Sequence, residues 1–156
     1  MRINIVYSYH HIKNILIFKN YYIKMSKATI IINFNAKVLM FANYLNGVCP
    51  DTVCTQDVKD LEKLIKTSDC ALIDMFVLNV LPDKHKIESK DETFFTSTNN
   101  TYNTMKTGIQ KDVLKKLFKF TAVWNSFTSG NKHITFATLQ SLSSSAYDYY
   151  QVVKSE

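Results

Sequence analysis

Three observations predict an all-α fold. Apolar side chains recur at spacings of three and four along most of the chain, the period of helices with one buried stripe. Glycine and proline number only three and two in 156 residues, too few turn formers for an all-β sandwich. The chain is 46% apolar and 21% charged, a balance that supports a packed core and excludes a disordered, collagenous or simple coiled-coil chain. A single domain is expected at this length, burying roughly 70% of its unfolded surface.

Residues 26–32 carry the β-branched run Thr29, Ile30, Ile31 and Ile32. They suit either a short strand or the lead-in to a helix. From Asn33 the helical period is clear, with Phe34, Val38, Phe41 and Leu45 on one stripe. Asn46-Gly47 and Pro50 predict its end. A second helix is predicted from about Thr55 to Lys66, with Val58, Leu61, Leu64 and Ile65 inward. Asp57, Asp60 and Glu62 lie towards its N-terminal half and Lys63 and Lys66 near its end, as the helix dipole favours. Thr67-Ser68-Asp69 offers cap chemistry for a third helix. That helix, about Cys70 to Leu81, is apolar almost all round and predicts a buried central element ended by Pro82.

Residues 83–95 hold a short amphipathic stretch with Ile87 and Phe94-Phe95, and Asp91 can cap the turn that follows it. Residues 96–107 are a polar Thr/Asn-rich run and predict a long loop. Ile109, Val113, Leu117, Phe120 and Trp124 then mark a strongly amphipathic helix. After a break at Ser126 to Gly130, with Ser129 or Asn131 as cap, a last helix carries Phe136, Leu139, Leu142, Ala146, Tyr149 and Val153. Ser141 and Ser143 to Ser145 keep part of it small, which permits close helix approach. The expected architecture is one domain at residues 25–156, a bundle of about five helices with the 70–81 helix buried at its centre.

Residues 1–24 read as a separate basic extension. Ile3, Ile5, Tyr7 and Tyr9 alternate like a strand, whereas Ile12, Ile15, Leu16 and Lys19 suit a helix. Met25 opens Met-Ser-Lys-Ala like an ordinary protein start, so 1–24 is expected to be translated upstream sequence or a weakly ordered arm. A membrane-surface helix is the alternative. The formal charge is +6. Arg2, Lys13, Lys19 and Lys24, with no acid among them, give this segment +4, and the other residues carry 15 bases and 13 acids. The basic balance therefore says little about the domain itself. Arg2 is the sole arginine against 18 lysines, and with Asn, Ile and Tyr abundant the bias is that of an AT-rich genome. It leaves no guanidinium fork for bidentate recognition of phosphate or guanine.

Cys49, Cys54 and Cys70 are odd in number and form no Cys-x-x-Cys. Free thiols in a reducing, intracellular setting are expected, and the sequon Asn99-Asn100-Thr101 is read as chance. The purely apolar runs, such as Ile15 to Phe18 and Met75 to Leu78, fall far short of a membrane span, and no signal-peptide cleavage pattern follows the N-terminus. His10-His11 and the pair Cys49 and Cys54 lack the four-ligand spacing of a structural metal site. A cysteine could be drawn together with His85 or His133 and an Asp, but no nucleophile elbow or glycine loop supports it. Asp91-Glu92 suits cap and solvated charge better than acid–base work. No catalytic residue, metal or cofactor is expected.

Two surfaces remain as candidates. Lys111, Lys115, Lys116 and Lys119 cover the outer face of the 109–120 helix, where they could track a phosphate backbone. Tyr147, Tyr149 and Tyr150 cluster on the last helix. Tyr149 belongs to the core stripe, which leaves Tyr147 and Tyr150 for a protein interface.

The order of landmarks completes the reading. Phe34-Asn35 with Phe41 and Leu45 is followed by Cys49-Pro50-Asp51, then Phe76 with Val80-Leu81-Pro82. Ile87, Lys90-Asp91-Glu92 and Phe94-Phe95 come next, then Trp124, Asn131-Lys132 and Leu139-Gln140-Ser141-Leu142. In this order residues 34–150 resemble small helical proteins of nucleocytoplasmic large DNA viruses, departing from that pattern at Phe136 and Thr138, where Trp and Tyr are usual. The resemblance implies a helical protein made in an infected host cell and located in its cytoplasm. The expected function is non-enzymatic binding of a viral or host protein, as a structural, accessory or host-modulating component. A viral Bcl-2-like bundle is one variant, and a nucleic-acid-associated protein is the alternative. Under that alternative, four phosphate contacts make the affinity of the chain begun at Met25 for duplex DNA fall roughly a hundredfold between about 50 and 200 mM salt. Filter binding measures this, and binding that is absent or insensitive to salt removes the lysine face as a nucleic-acid site.

Overall fold

The computed structural model describes residues 27–96, 117 and 123–156. The described residues form an all-α bundle, and no strand occurs among them. The β-branched run 29–32 is helical. It belongs to α1, Lys27–Val48, a single helix of 22 residues and about 33 Å. Ile31 extends the stripe of Phe34, Val38, Phe41 and Leu45 by one more turn, and all five are buried. Burial of this stripe outweighs the weak helix propensity of three consecutive isoleucines. The helix is long and apolar enough to meet the minimum for a membrane span, although no uninterrupted apolar run in the sequence is. It packs through a one-sided buried stripe, with Lys27, Asn33, Lys37 and Asn43 elsewhere on the helix.

The helix α2, Thr55–Thr67, buries Val58 and Leu61 and half-buries Leu64 and Ile65. Its first turn is closed by Asp57, whose Oδ2 accepts a hydrogen bond from the Cys54 backbone N–H at 2.8 Å. The third helix, α3, runs Ala71–Asn79, shorter than the predicted 70–81. Thr67, Ser68 and Asp69 supply no side-chain cap to it; Cys70 holds the N-cap position. Leu72, Ile73, Phe76 and Asn79 face the core, but Leu78 is 72% exposed. This helix therefore buries one face rather than its whole circumference. A nine-residue helix reaches only about 13 Å, and Pro82, which cannot donate a backbone hydrogen bond, turns the chain into a 3₁₀ turn at Leu81–Asp83.

Two short helices follow, α4 at Lys84–Glu88 and α5 at Thr93–Thr96. Asp91 caps the second as expected, its Oδ1 accepting from the Thr93 backbone N–H at 2.9 Å. The chain between them closes as a Schellman turn. The Asp91 N–H donates to the Lys86 carbonyl at 2.8 Å and the Lys90 N–H to the Ile87 carbonyl at 3.2 Å. Lys90 occupies the left-handed position with φ of 55°, where glycine is the usual residue.

The last helix, α6, spans Ser129–Lys154, 26 residues and about 39 Å. Its cap is Thr128, one residue before Ser129 and three before Asn131, the two predicted candidates, and the Asn131 N–H donates to Thr128 Oγ1 at 3.1 Å. Phe136, Leu139, Leu142, Ala146 and Tyr149 are buried as the period predicts, whereas Val153 is 40% exposed at the fraying end. This helix spans the length of the bundle and meets α1 along one side. Lys27 Nζ meets Glu156 Oε2 at 2.6 Å, Lys37 Nζ donates to Ser141 Oγ at 2.9 Å, and Tyr44 OH donates to Asn131 Oδ1 at 2.8 Å. Residue numbers rise along α1 as they fall along α6, so the two helices run antiparallel. On its other side α6 packs against α3 and α4.

One end of the bundle is plugged by aromatic rings. Phe95 stacks on Trp124 with centroids 4.0 Å apart, and Phe136 meets both rings edge-on at 5.3 and 5.6 Å. Trp124 lies in a 3₁₀ turn, Trp124–Ser126, and is fully buried. Leu117, from the predicted 109–120 helix, is helical and buried. The remainder of that helix, residues 1–24 and residues 97–107 of the predicted loop lie outside the described residues. Replacing Lys90 by glycine relieves the left-handed Cβ, and stability is expected to rise by about 0.5–1 kcal/mol in chemical denaturation.

Candidate interaction surface

The helix α6 carries its core stripe between two outer faces. At about 100° per residue, Ile134, Ala137, Thr138 and Ser141 lie on one side of α6 and Tyr147 and Tyr150 nearly opposite. The first side meets α1 and the second meets α3.

The α3 side holds the tyrosines singled out from sequence. Tyr147 and Tyr150 are 46% and 41% exposed, and with Val77, Leu81, Pro82 and Lys84 they line a hollow of about 310 Å³. Lys84 Nζ stands 5.6 Å above the Tyr147 ring and is ion-paired with Glu88. Tyr149 fixes this arrangement. Its ring is buried in the core, and its hydroxyl donates to Asp74 Oδ1 of α3 at 2.7 Å. That bond sets the rotation of α6 against α3, and with it the position of the two neighbouring tyrosines beside Leu81 and Pro82. Sequence reasoning found Tyr147 and Tyr150 but not the Val77–Pro82 half of the hollow, because a continuously apolar helix shows no period that marks an open side.

On the α1 side a larger trough of about 560 Å³ lies between the helices, with Met40 and Phe41 from α1 and Ile134 and Ala137 from α6. Lys37, Ser141 and Thr138 stand toward one end, and Tyr44 and His133 toward the other. Lys37 Nζ also reaches Ser145 Oγ at 3.4 Å. Nothing in the sequence singled out Lys37 or Met40, whose roles depend on which helix lies opposite.

The remaining candidate residues separate. Cys49 and Cys70 are half-buried and Cys54 is exposed, all as free thiols. Burial pushes the Cys49 thiol up, and burial followed by the neighbouring Asp69 does the same to Cys70. Raised thiols hold little thiolate, the nucleophilic form. Among the described residues no three or more His, Cys, Asp or Glu side chains gather as a metal site. Glu92 acts as more than solvated charge. Its Oε2 accepts from Trp124 Nε1 at 2.7 Å and from Lys132 Nζ at 2.9 Å, and Lys132 foremost, then Trp124, holds its carboxyl below the ordinary range. Lys111, Lys115, Lys116 and Lys119 lie outside the described residues. No family model, no curated protein and no solved structure matches the chain.

Burial, then the hydrogen bond to Asp74 and its negative charge, push the Tyr149 phenol well above its ordinary value. The neutral form is the one the fold favours. Its contribution is complete below about pH 10, the unfolded value, and is lost as pH rises toward the folded one. Stability measured by denaturation is therefore expected to decline above about pH 10, and Tyr149→Phe to flatten that decline.

Proposed function

We propose that this chain is a non-enzymatic helical domain that works by binding another protein, as a viral structural or accessory component or a modulator of a host factor. The contact surface is the hollow formed by Val77, Leu81, Pro82, Tyr147 and Tyr150. The observation that carries this reading is the pair of half-exposed tyrosines held by buried Tyr149 against an apolar ledge. Tyrosine offers a large apolar ring with a polar tip and loses little conformational entropy when it is covered, which suits it to protein interfaces. The raised thiols of Cys49 and Cys70 disfavour a thiolate nucleophile at those two positions, and free thiols fit the reducing cytoplasm of a host cell. The landmark resemblance of residues 34–150 supports the viral setting.

A random peptide library displayed on phage and panned on the full chain tests the surface. Aromatic and aliphatic peptides are expected to be enriched, and the Tyr147→Ser/Tyr150→Ser double variant is expected to cut that enrichment at least tenfold. Both tyrosines are half-exposed, so the variant keeps its core. Equal enrichment by the two proteins overturns the assignment.

A further inference from the structure

The trough between α1 and α6 combines two features that nothing among the described residues satisfies. Met40 is 72% exposed and Ile134 45% exposed, so each helix presents an apolar side chain to solvent beside the buried ring of Phe41. At one end stands Lys37, half-buried, its Nζ donating to the hydroxyls of Ser141 and Ser145. Among the described residues no carboxylate oxygen lies within 4 Å of that ammonium, in contrast to Lys27, Lys84, Lys86 and Lys132, which are all ion-paired. Two serine hydroxyls are neutral acceptors and leave the charge uncompensated. Binding of an anion there gains a charge-assisted hydrogen bond at a site already partly desolvated.

We propose that this trough docks an amphipathic helix of another protein, with two apolar residues one turn apart on Met40, Phe41 and Ile134 and an Asp or Glu on Lys37. Three observations select this occupant. From Lys37 to Tyr44 the trough extends seven residues along α1, about 10 Å or two helical turns, the span of an i, i+4, i+7 contact set. Its open side, marked by the exposure of Met40 and Ile134, does not enclose a small ligand, which needs 70–90% or more of its surface covered as a rough guide. A second copy of the chain would bring the same lining, which holds Lys37 and His133 and no acid, so self-pairing supplies nothing to meet the ammonium. The surface is distinct from the tyrosine hollow, on nearly the opposite side of α6, and the two stand or fall separately.

A helical peptide library with leucine fixed at two positions four apart, and all other outward positions randomised, is panned on the full chain. Enrichment of Asp or Glu at one constant offset from the leucines is expected. By fluorescence anisotropy the enriched peptide should bind about three- to tenfold more tightly than its Glu→Gln form at low salt, a gap that narrows in 0.5 M salt. Lys37→Met, which keeps an apolar stem at the position, is expected to erase the preference for the acid while retaining binding through the leucines. Met40→Glu is expected to weaken binding of the acidic peptide, and the Tyr147→Ser/Tyr150→Ser variant to leave it unchanged. The proposal is overturned by enrichment without a positioned acid, by a preference that survives in Lys37→Met, or by binding lost in the tyrosine variant. Sedimentation showing a dimer that Met40→Glu dissolves overturns it in favour of a second copy.

Discussion

Everything in this bundle hangs on the burial of one stripe of α6 between α1 and the α3–α4 arm. Phe136, Leu139, Leu142, Ala146 and Tyr149 occupy that stripe, and full burial of each large apolar side chain contributes about 1.5–3 kcal/mol. The hydrogen bonds and ion pairs along the seam contribute less. A typical hydrogen bond is worth about 1 kcal/mol net, and an exposed pair such as Lys27 with Glu156 adds little. The apolar stripe therefore drives association, and the polar contacts set register. Tyr44 on Asn131, Lys37 on Ser141 and Tyr149 on Asp74 fix how far α6 slides and rotates against its neighbours. Gln140 adds a tie to α4, its Nε2 donating at 3.2 Å to the Ile87 carbonyl, which also accepts the Lys90 N–H of the Schellman turn.

The aromatic end solves a second problem. Trp124 is fully buried and carries a donor that must be satisfied. Glu92 accepts that donor and at the same time pairs with Lys132, whose ammonium lies 5.1 Å above the indole ring. One carboxylate thus joins the turn before α5, the Trp124 turn and the first turn of α6. Phe95 and Phe136 cover the ring faces and edges. The plug anchors α6 at its N-terminal end, as the Tyr149–Asp74 bond does near its C-terminal end.

A helix held at both ends and buried along one stripe still has two flanks, and each flank meets a neighbour without being fully covered. On the α3 flank this leaves half-exposed tyrosines beside Leu81 and Pro82, and on the α1 flank an apolar trough with an uncompensated lysine. Both proposed binding surfaces are consequences of the same geometry. Two cylinders in contact leave furrows, and nothing in the described chain is positioned to fill these two.

The sequence by itself determined the fold class, the positions of α2 and α6 within a few residues, α1 from Asn33 onward, and most of the core. Those features depend on local periodicity, which is written in the spacing of Phe34, Val38, Phe41 and Leu45 and of Leu139, Leu142, Ala146 and Tyr149. Tyr147 and Tyr150 were legible for the same reason, since a tyrosine off the core stripe of a helix must face outward. Tertiary structure alone decided whether the isoleucine run 30–32 became strand or helix, because a β-branched run suits both and only the packing of Ile31 chose between them. It also decided that α3 leaves Leu78 in solvent. Sequence shows that α3 is apolar all round, but how much of it is covered depends on its length and on which helices reach it. The trough at Lys37 and Met40 was hidden for a related reason. A lysine and a methionine outside the stripe look like ordinary surface until the opposite wall, supplied by residues about a hundred positions later, gives them a cavity and withholds a counter-charge.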